Sequence, residues 1–238
     1  MNANEILTTC NNSGIVDWLL AGITLAAVLV AIFQDHIKRF FWKPKLVLEL
    51  HTSPPDFQKI SINRTDGQGR ILGSGLSYYF RIRVKNVGSI SAEHVEIQAS
   101  KLSKLDGKTF EVINEFTPMN FVFSHTHEKS LEYLSPNMEK LCDFIHVIDP
   151  SENKFFIPYE SNEPVIWFDL EVMPNNYGNL ISGGGVYRID IIVGASNIIK
   201  PIKRSILIDY SGKWNKDESE MVNQEIRLSM QEHTKIFY

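Results

Sequence analysis

Apolar and polar positions divide the chain into one long apolar segment and a series of short alternating segments. Residues 15–33 are almost all apolar, and a polar pair closes the segment. A helix needs about 20 apolar residues to cross a bilayer, so we predict a transmembrane helix over residues 15–37. Pro44 opposes further helix, which leaves residues 38–44 as a basic and aromatic juxtamembrane segment.

Beyond Pro44 the apolar positions recur with a period of two, which is typical of half-buried strands. The alternating segments predict strands at residues 45–50, 78–84, 94–99, 110–113, 121–124, 140–148, 164–173, 187–193 and 198–208. Turn residues separate them at the spacing of an antiparallel β-sandwich, which we place at residues 45–214. Residues 215–238 form a C-terminal extension, in which the alternation at 225–230 predicts an added edge strand or a short helix.

Two shorter segments carry turn signals. The Gly-rich residues 66–75 predict a loop. Asn86 and Gly88 predict a turn that folds the strand at 78–84 back onto the strand at 94–99 as its partner.

Two motifs resemble those of known sandwich domains. The series from Tyr78 to Leu102, with a central Asn-x-Gly and then Ala92, resembles the B–C region of bacterial immunoglobulin-like domains of the CARDB and fibronectin III kind. Gly185-Val-Tyr187 before an alternating strand resembles the tyrosine corner that opens strand F in such sandwiches. The resemblance implies a mainly β fold class: an N-terminal transmembrane α-helix followed by an immunoglobulin-like antiparallel β-sandwich with insertions.

The charge distribution predicts how the helix is oriented. Residues 1–37 contain no Lys or Arg, and basic residues follow the apolar segment. Positive flanks stay in the cytoplasm, so we expect residues 1–14 to form a short extracytoplasmic tail and the large domain to lie inside the cell, at the inner membrane. A cleaved signal peptide would carry its basic residues before the apolar segment. The helix of a soluble core is the other alternative, and it would not show this charge asymmetry.

The flanks of the helix carry candidate lipid contacts. Trp18 and Trp42 are placed as interfacial aromatic residues, and Lys38, Arg39 and Lys43 as partners of anionic headgroups.

Small residues within the apolar segment predict helix self-association. Gly22 with Ala26, and Ala27 with Ala31, are spaced four residues apart, which allows two helix backbones to approach closely. Small residues are common in any membrane helix, so a plain lipid anchor is the alternative.

The composition of the remaining chain limits its chemistry. The domain carries nearly balanced charge, which gives no general argument for nucleic-acid binding. The two cysteines, Cys10 and Cys142, lie on opposite sides of a spanning helix and cannot pair, which suits a reducing compartment. Gly183–Gly185 is followed by a strand and no Lys, which indicates a turn and not a phosphate-binding loop.

Two groups of residues are candidate ligand sites, and each group also has a simpler structural interpretation. The first is a basic group for an anionic ligand such as a nucleotide, whose alternative is a solvated strand face. Its residues are Arg81, Arg83, Lys200, Lys203 and Arg204.

The second candidate is a metal site. We place His125 and His127 on one face of a strand, with Glu128, or Cys142 and His146, as further ligands. The usual ligand spacings are absent, and Cys142 fits a core position, so we expect no metal. No catalytic motif is present either, so we expect neither a cofactor nor an enzyme.

Two functions remain. The layout resembles the one-helix membrane effectors of bacterial antiphage systems, such as Hailong-type channels opened by a nucleotide-derived signal. The Arg39–Lys45 junction and the Gly212–Trp214 segment resemble a widespread group of prokaryotic one-helix membrane proteins. These resemblances imply a homo-oligomeric channel or pore whose sandwich senses a ligand or partner. The alternative is a membrane-tethered adaptor that recruits a cytoplasmic protein and transports nothing.

Overall fold

The computed structural model of the protein describes residues 3–152, 164–171 and 180–232. The chain forms two compact units, residues 1–43 and 44–238. The first unit is one helix, α1 (Ala3–Phe41), which is longer at both ends than the predicted residues 15–37. It ends just before Pro44, as the missing amide donor and the ring of proline require. The predicted strand at residues 164–173 and the C-terminal extension at residues 215–238 are described only in part. Residues 172–173 and 233–238 lie outside the described residues.

The second unit is a sandwich of two antiparallel sheets. Sheet A contains β1 (Leu46–Leu50), β2 (Phe57–Thr65), β3 (Ile71–Asn86), β8 (Glu139–Ile148), β9 (Val165–Phe168) and β10 (Leu180–Ser182). Sheet B contains β4 (Ala92–Asp106), β5 (Thr109–Val112), β6 (Met119–Asn120), β7 (Ser130–Leu134), β11 (Gly185–Gly194), β12 (Ile202–Tyr210) and β13 (Ile226–Glu232). Sheet A has the order β1-β3-β8-β9-β10, and sheet B the order β13-β12-β11-β4-β5.

The strand order is that of an immunoglobulin-like sandwich. β1, β3 and β8 are neighbours in one sheet, as strands A, B and E are in such domains, and β4, β11 and β12 are neighbours in the other, like C, F and G. β9 and β10 are inserted between the E and F positions, and β13 adds an outer strand beside G. The predicted fold class is therefore confirmed, including its insertions.

The core lies between the two sheets and explains the alternation in the sequence. On β3 the residues Tyr78, Phe80, Ile82 and Val84 are fully buried. The facing strands contribute Val95, Ile97 and Ala99 from β4 and Ile189, Ile191 and Val193 from β11. Burial of each large apolar side chain stabilises the fold by about 1.5–3 kcal/mol, so one apolar face per sheet is enough to bring them together.

The predicted loop at residues 66–75 is wrong for its second half. Residues 71–75 are the first part of β3, where they pair with β2. These residues show no alternation because several of them are exposed or are glycines. Backbone hydrogen bonds to β2, a strand that the sequence analysis missed, determine the conformation instead.

The predicted pairing of the 78–84 and 94–99 strands is also wrong. β3 lies in sheet A and β4 in sheet B, so the chain crosses the sandwich between them. Two strands that each bury one apolar face pack equally well face to face as side by side, and the alternation does not distinguish the two.

Residues 121–124 do not form a regular strand. Phe121 makes a single bridge to Leu170, and Phe123 a single bridge to Cys142. The following segment turns, with His125 and His127 at φ of 73° and 56°. The two histidines therefore do not lie on one face of a strand.

The described part of the C-terminal extension, up to residue 232, belongs to the sandwich. β13 pairs along β12, which confirms the edge strand predicted at residues 225–230. Ahead of it, the Trp214 ring packs 4.6 Å from the Tyr78 ring of sheet A. The Tyr78 hydroxyl and Lys59 Nζ both donate to the carbonyl of Lys216, at 3.0 and 2.7 Å. We call residues 214–216 the clasp, because they join the sheet B end of the chain to sheet A.

Candidate functional site

The apolar stretch of α1 is the first candidate. Val16–Gln34 is long and apolar enough to cross a membrane, and none of it is buried. The one polar side chain deep in it, Thr24, donates to the Leu20 carbonyl at 2.8 Å, which satisfies the hydroxyl within the helix. Trp18, near the start of the stretch, is 82% exposed, and Trp42, just after the end of α1, is 51% exposed. The side chains of Lys38 and Arg39 lie outside the described residues.

The small residues of α1 form two faces. With 100° of rotation per residue, the Gly22–Ala26 and Ala27–Ala31 pairs lie about 140° apart around the helix axis. All four residues are exposed. A dimer needs one such face, whereas a ring needs two, one for each neighbouring helix.

The predicted basic group is not one site. Arg81 and Arg83 lie on β3 in sheet A, while Lys203 and Arg204 lie on β12 in sheet B and Lys200 just before it. Arg81 is buried, with Nε 2.9 Å from Asp143 Oδ1 and Nη1 2.8 Å from the Pro55 carbonyl.

Arg83 is engaged in the same way as Arg81. It binds both carboxylate oxygens of Asp56, at 2.5 and 3.2 Å, and it also pairs with Glu139. Both arginines are therefore neutralised by carboxylates of the same sheet region and not available to a separate anion.

These ion pairs shift the protonation of the groups involved. Burial alone would raise the pKa of Asp56, but hydrogen bonds and charge from Arg83 and His51 outweigh it and hold that pKa below its usual value. The hydrogen bond to Asp56 correspondingly raises the pKa of Arg83. Asp143 also accepts from the Ser124 hydroxyl at 2.6 Å, which completes a small buried network.

A row of stacked rings lies beside this network on the outer face of sheet A. The Trp167 ring stacks on His146 at 5.7 Å, His146 stacks on Tyr79 at 4.8 Å, and the Arg81 guanidinium lies 5.7 Å from the Tyr79 centroid. His146 Nδ1 is 2.8 Å from Asp169 Oδ1. Burial, together with the charges of Asp169 and Asp143, raises the pKa of Tyr79, so its hydroxyl stays protonated.

The row resembles part of a catalytic site, but its imidazole and the nearby Ser124 hydroxyl do not bond to each other. Ser124 bonds to Asp143, and His146 bonds to Asp169, so the hydroxyl and the imidazole have different partners. Cys142 is fully buried, and burial followed by the charges of Asp143 and Asp169 raises the pKa of its thiol. A buried thiol of raised pKa is a core residue, as the sequence predicted.

The metal candidates do not converge. Within the described ranges no group of three or more His, Cys, Asp or Glu side chains is arranged to hold a metal ion. His125 and His127 lie in an exposed turn, while His146 bonds to Asp169 and is part of the ring stack.

The triple glycine forms a turn before β11, as expected. A Cβ on Gly184 would lie 2.6 Å from the Ser211 carbonyl oxygen, so glycine is needed for close backbone packing against the β12 end. The Tyr187 ring is buried, and its hydroxyl lies 3.5 Å from the Gly183 carbonyl oxygen. This distance is long for a hydrogen bond, but the hydroxyl points back to the backbone a few residues upstream, as it does in a tyrosine corner.

Three loops meet at the end of the sandwich where the chain enters it from α1. The Val87 amide donates to the Lys45 carbonyl at 2.8 Å, and the Asn86 amide to the Met138 carbonyl at 3.0 Å. Asn86 is fully buried, and its side chain bonds to the backbone of four residues: Lys45, Gly88, Ile90 and Leu134.

The third loop, between β11 and β12, is fixed by another asparagine. Asn197 accepts from the Glu93 amide at 3.1 Å and donates to the Ser91 carbonyl at 2.9 Å. In the sequence, Asn86 indicates only a turn, and Asn197 carries no recognisable signal. Short polar side chains in turns bond to nearby backbone, but the sequence does not reveal which distant loops they join.

Two open depressions lie along sheet B. One, of about 370 Å³, is lined by the polar residues His94, Glu96 and Gln98 of β4 and by Ile192 and Gly194 of β11. The other, of about 530 Å³, lies along β12 and β13, with Leu207 and Leu228 beside Asp209 and Arg227.

Comparison of the chain with known protein families, with characterised proteins and with solved structures finds no match.

Proposed function

We propose that the chain is a single-pass membrane protein that assembles through α1 into an oligomeric membrane effector, a channel or pore. The observation that carries the proposal is the exposed apolar surface of Val16–Gln34 together with its two small-residue faces. In water such a surface would be strongly unfavourable, whereas a bilayer accepts it and lets small residues pack helix on helix.

The two faces favour a ring over a pair. Each helix presents Gly22 and Ala26 on one side and Ala27 and Ala31 about 140° away, so one protomer can contact two neighbours at once. One helix per chain cannot enclose a pore alone, which makes a ring the minimal assembly for conduction.

The sandwich has the role of a sensor in this proposal. It stays on the cytoplasmic side of the inner membrane, because Lys38, Arg39, Lys43 and Lys45 follow the helix. It is proposed to bind a partner protein or a nucleotide-derived ligand and not to act as an enzyme. The antiphage role rests on the resemblance of layout alone.

The test is the mass of the purified full-length protein in detergent, measured by mass photometry. We expect a complex of four or more protomers, and Gly22→Leu or Ala26→Leu should reduce it to monomers, because a larger side chain separates the helix backbones. The same substitutions should also lower the conductance of the reconstituted protein across planar bilayers, because the oligomer is lost.

Ala21→Leu is the matched control. It makes the same change about 100° or more from either small-residue face, so it should leave both the mass and the conductance unchanged. A monomeric wild-type protein, or loss of assembly with Ala21→Leu as well, contradicts the proposed interface.

A tethered adaptor is the second candidate, and one observation favours it. β13 pairs with β12 on one side and is the outermost strand of sheet B in the part of the chain that the structure describes. The depression of about 530 Å³ runs beside it, with apolar and charged residues that suit a peptide segment. A monomer that binds a cytoplasmic protein and conducts no ions would support the adaptor instead.

A further inference from the structure

We propose that the end of the sandwich that carries the three joined loops rests on the lipid headgroups of the membrane that α1 crosses. The loop surface comprises residues 86–91, 135–138 and 195–201. This inference rests on the proposed membrane span, but it does not depend on whether the helix forms a ring.

The loop surface carries exposed apolar side chains at the tip of each loop. Val87 and Ile90 are 42% and 37% exposed, Met138 is 52% exposed, and Ile199 is 96% exposed. Large apolar side chains at turn tips gain nothing in water, whereas shallow insertion between headgroups buries them.

Basic residues accompany these tips. Lys45, Lys200 and Lys203 are exposed, and none of them has a carboxylate within ion-pair distance among the described residues. Glu93 is an exposed acid at the same end. Apolar tips combined with lysines suit an anionic bilayer surface, which offers both a hydrocarbon boundary and negative charge.

The covalent connection between α1 and the sandwich is the reason to propose the bilayer as the partner of the loop surface. Four residues, 42–45, join the end of α1 to the start of β1, and the carbonyl of Lys45 directly accepts from Val87 of the loop surface. The anchor thus brings this end of the domain close to the membrane at high effective concentration, so even weak lipid contacts are favoured.

The loops are held in place before they meet lipid. Asn86 bonds to the backbone of Lys45 just before β1, of Ile90 in its own loop and of Leu134 at the end of β7. Asn197 joins the third loop to the first through the Ser91 carbonyl. A surface that is already ordered loses little conformational entropy on binding, which is what a shallow docking surface requires.

The matched comparison lies at the other end of β3. Ile71 and Leu72 are 62% and 55% exposed there, so this hairpin is as apolar as the loop surface. β3 has 16 residues, which separates its two ends by about 50 Å. If exposed apolar side chains alone caused lipid contact, both ends would show it.

The experiment places an environment-sensitive fluorophore on single cysteines of the full-length protein in nanodiscs that contain nitroxide-labelled lipid. Cys10→Ser removes the competing thiol, and Cys142 is buried. The labelled positions are Met138→Cys and Ile199→Cys on the loop surface, Leu72→Cys as the distant control and Val28→Cys within the span. We expect at least threefold stronger quenching at positions 138 and 199 than at position 72.

Phosphatidylserine should strengthen this quenching, and Lys200→Glu or added salt should weaken it, since screening shortens the reach of the lysine charges. Equal quenching at positions 72, 138 and 199 would overturn the inference while quenching at Val28→Cys would still support the span. Absence of quenching at position 28 would instead contradict the span itself.

Discussion

The outer face of sheet A and the loop surface use charged and large side chains in opposite ways. In sheet A, Arg81 lies against Asp143 and Arg83 against Asp56, and the Tyr79 and His146 rings stack beside them. On the loop surface, Lys200 and Ile199 are exposed, as is Lys45 beside it. A cation in a strand sequence is therefore not evidence of a ligand site until its partners are known, and the two regions should respond differently to substitution.

The largest effect is expected for Asp143→Ala. It removes the partner of both Arg81 and Ser124 and leaves a buried guanidinium without its carboxylate. Breaking a buried ion pair from one side costs about 3–5 kcal/mol, and we expect a loss of that size in the free energy of unfolding. Urea denaturation of the full-length protein in detergent, followed by tryptophan fluorescence, measures it. A loss below about 1 kcal/mol would show that the network does not stabilise the fold.

Asn86→Ala should cause the second largest loss of stability, because the buried Asn86 side chain holds the loops of the exposed loop surface in place. The buried Asn86 side chain makes four hydrogen bonds to backbone, and its removal leaves several buried groups unpaired. We expect a loss of about 2–4 kcal/mol in the free energy of unfolding. Hydrogen exchange should also rise in residues 86–91 and 135–138. Asn197→Ala is the control, and it should loosen residues 195–201 and their contact at Ser91 while leaving residues 135–138 unchanged.

Asp56→Asn should cost about 1–3 kcal/mol at neutral pH, because a charged acceptor of Arg83 and His51 becomes neutral. The pKa of Asp56 is lower in the folded protein than its value of about 3.9 in the unfolded chain. The ionised carboxylate therefore stabilises the fold above about pH 4, and this contribution is lost as the pH falls through the folded pKa.

Unfolding curves of wild type and Asp56→Asn between pH 3 and pH 7 check the sign. The difference between the two proteins should be constant above about pH 5 and should shrink below about pH 4. A difference that grew with acidity would mean that Asp56 is protonated in the folded protein.

The smallest effect on stability is expected on the loop surface. Lys200→Ala and Ile199→Ala remove exposed side chains, so the free energy of unfolding should change by less than about 0.5 kcal/mol. Their lipid contact should nevertheless weaken, as measured by nitroxide quenching at position 138. A large loss of stability would show that these residues are structural, like Arg81.

The sequence predicted those segments whose apolar residues all share one environment, along one face of a strand or along a whole helix. The apolar stretch of α1 and the alternation of β3, β11 and β12 were recognised because each buries or exposes a whole face. The pairing of β2 with residues 71–75 was missed, since backbone hydrogen bonds to a distant strand leave no periodic signal. The partners of Arg81 and Arg83 were missed for a similar reason, because Asp56 and Asp143 are 27 and 62 residues away from their arginines.

The clasp has a consequence for how the protein is made. Trp214 and Lys216 bind Tyr78 and Lys59 of sheet A, and burial with the charges of Glu218 and Asp217 raises the pKa of Tyr78 to about 12, so the hydroxyl remains a donor. At a synthesis rate of about 5–20 residues per second, these residues follow the apolar stretch of α1 by about 10–40 s. The ribosome therefore completes the apolar stretch well before the sandwich can close, so that, for the membrane anchor we propose, insertion would precede folding. Truncation before residue 214 should yield chains that reach the membrane and are degraded there by proteases.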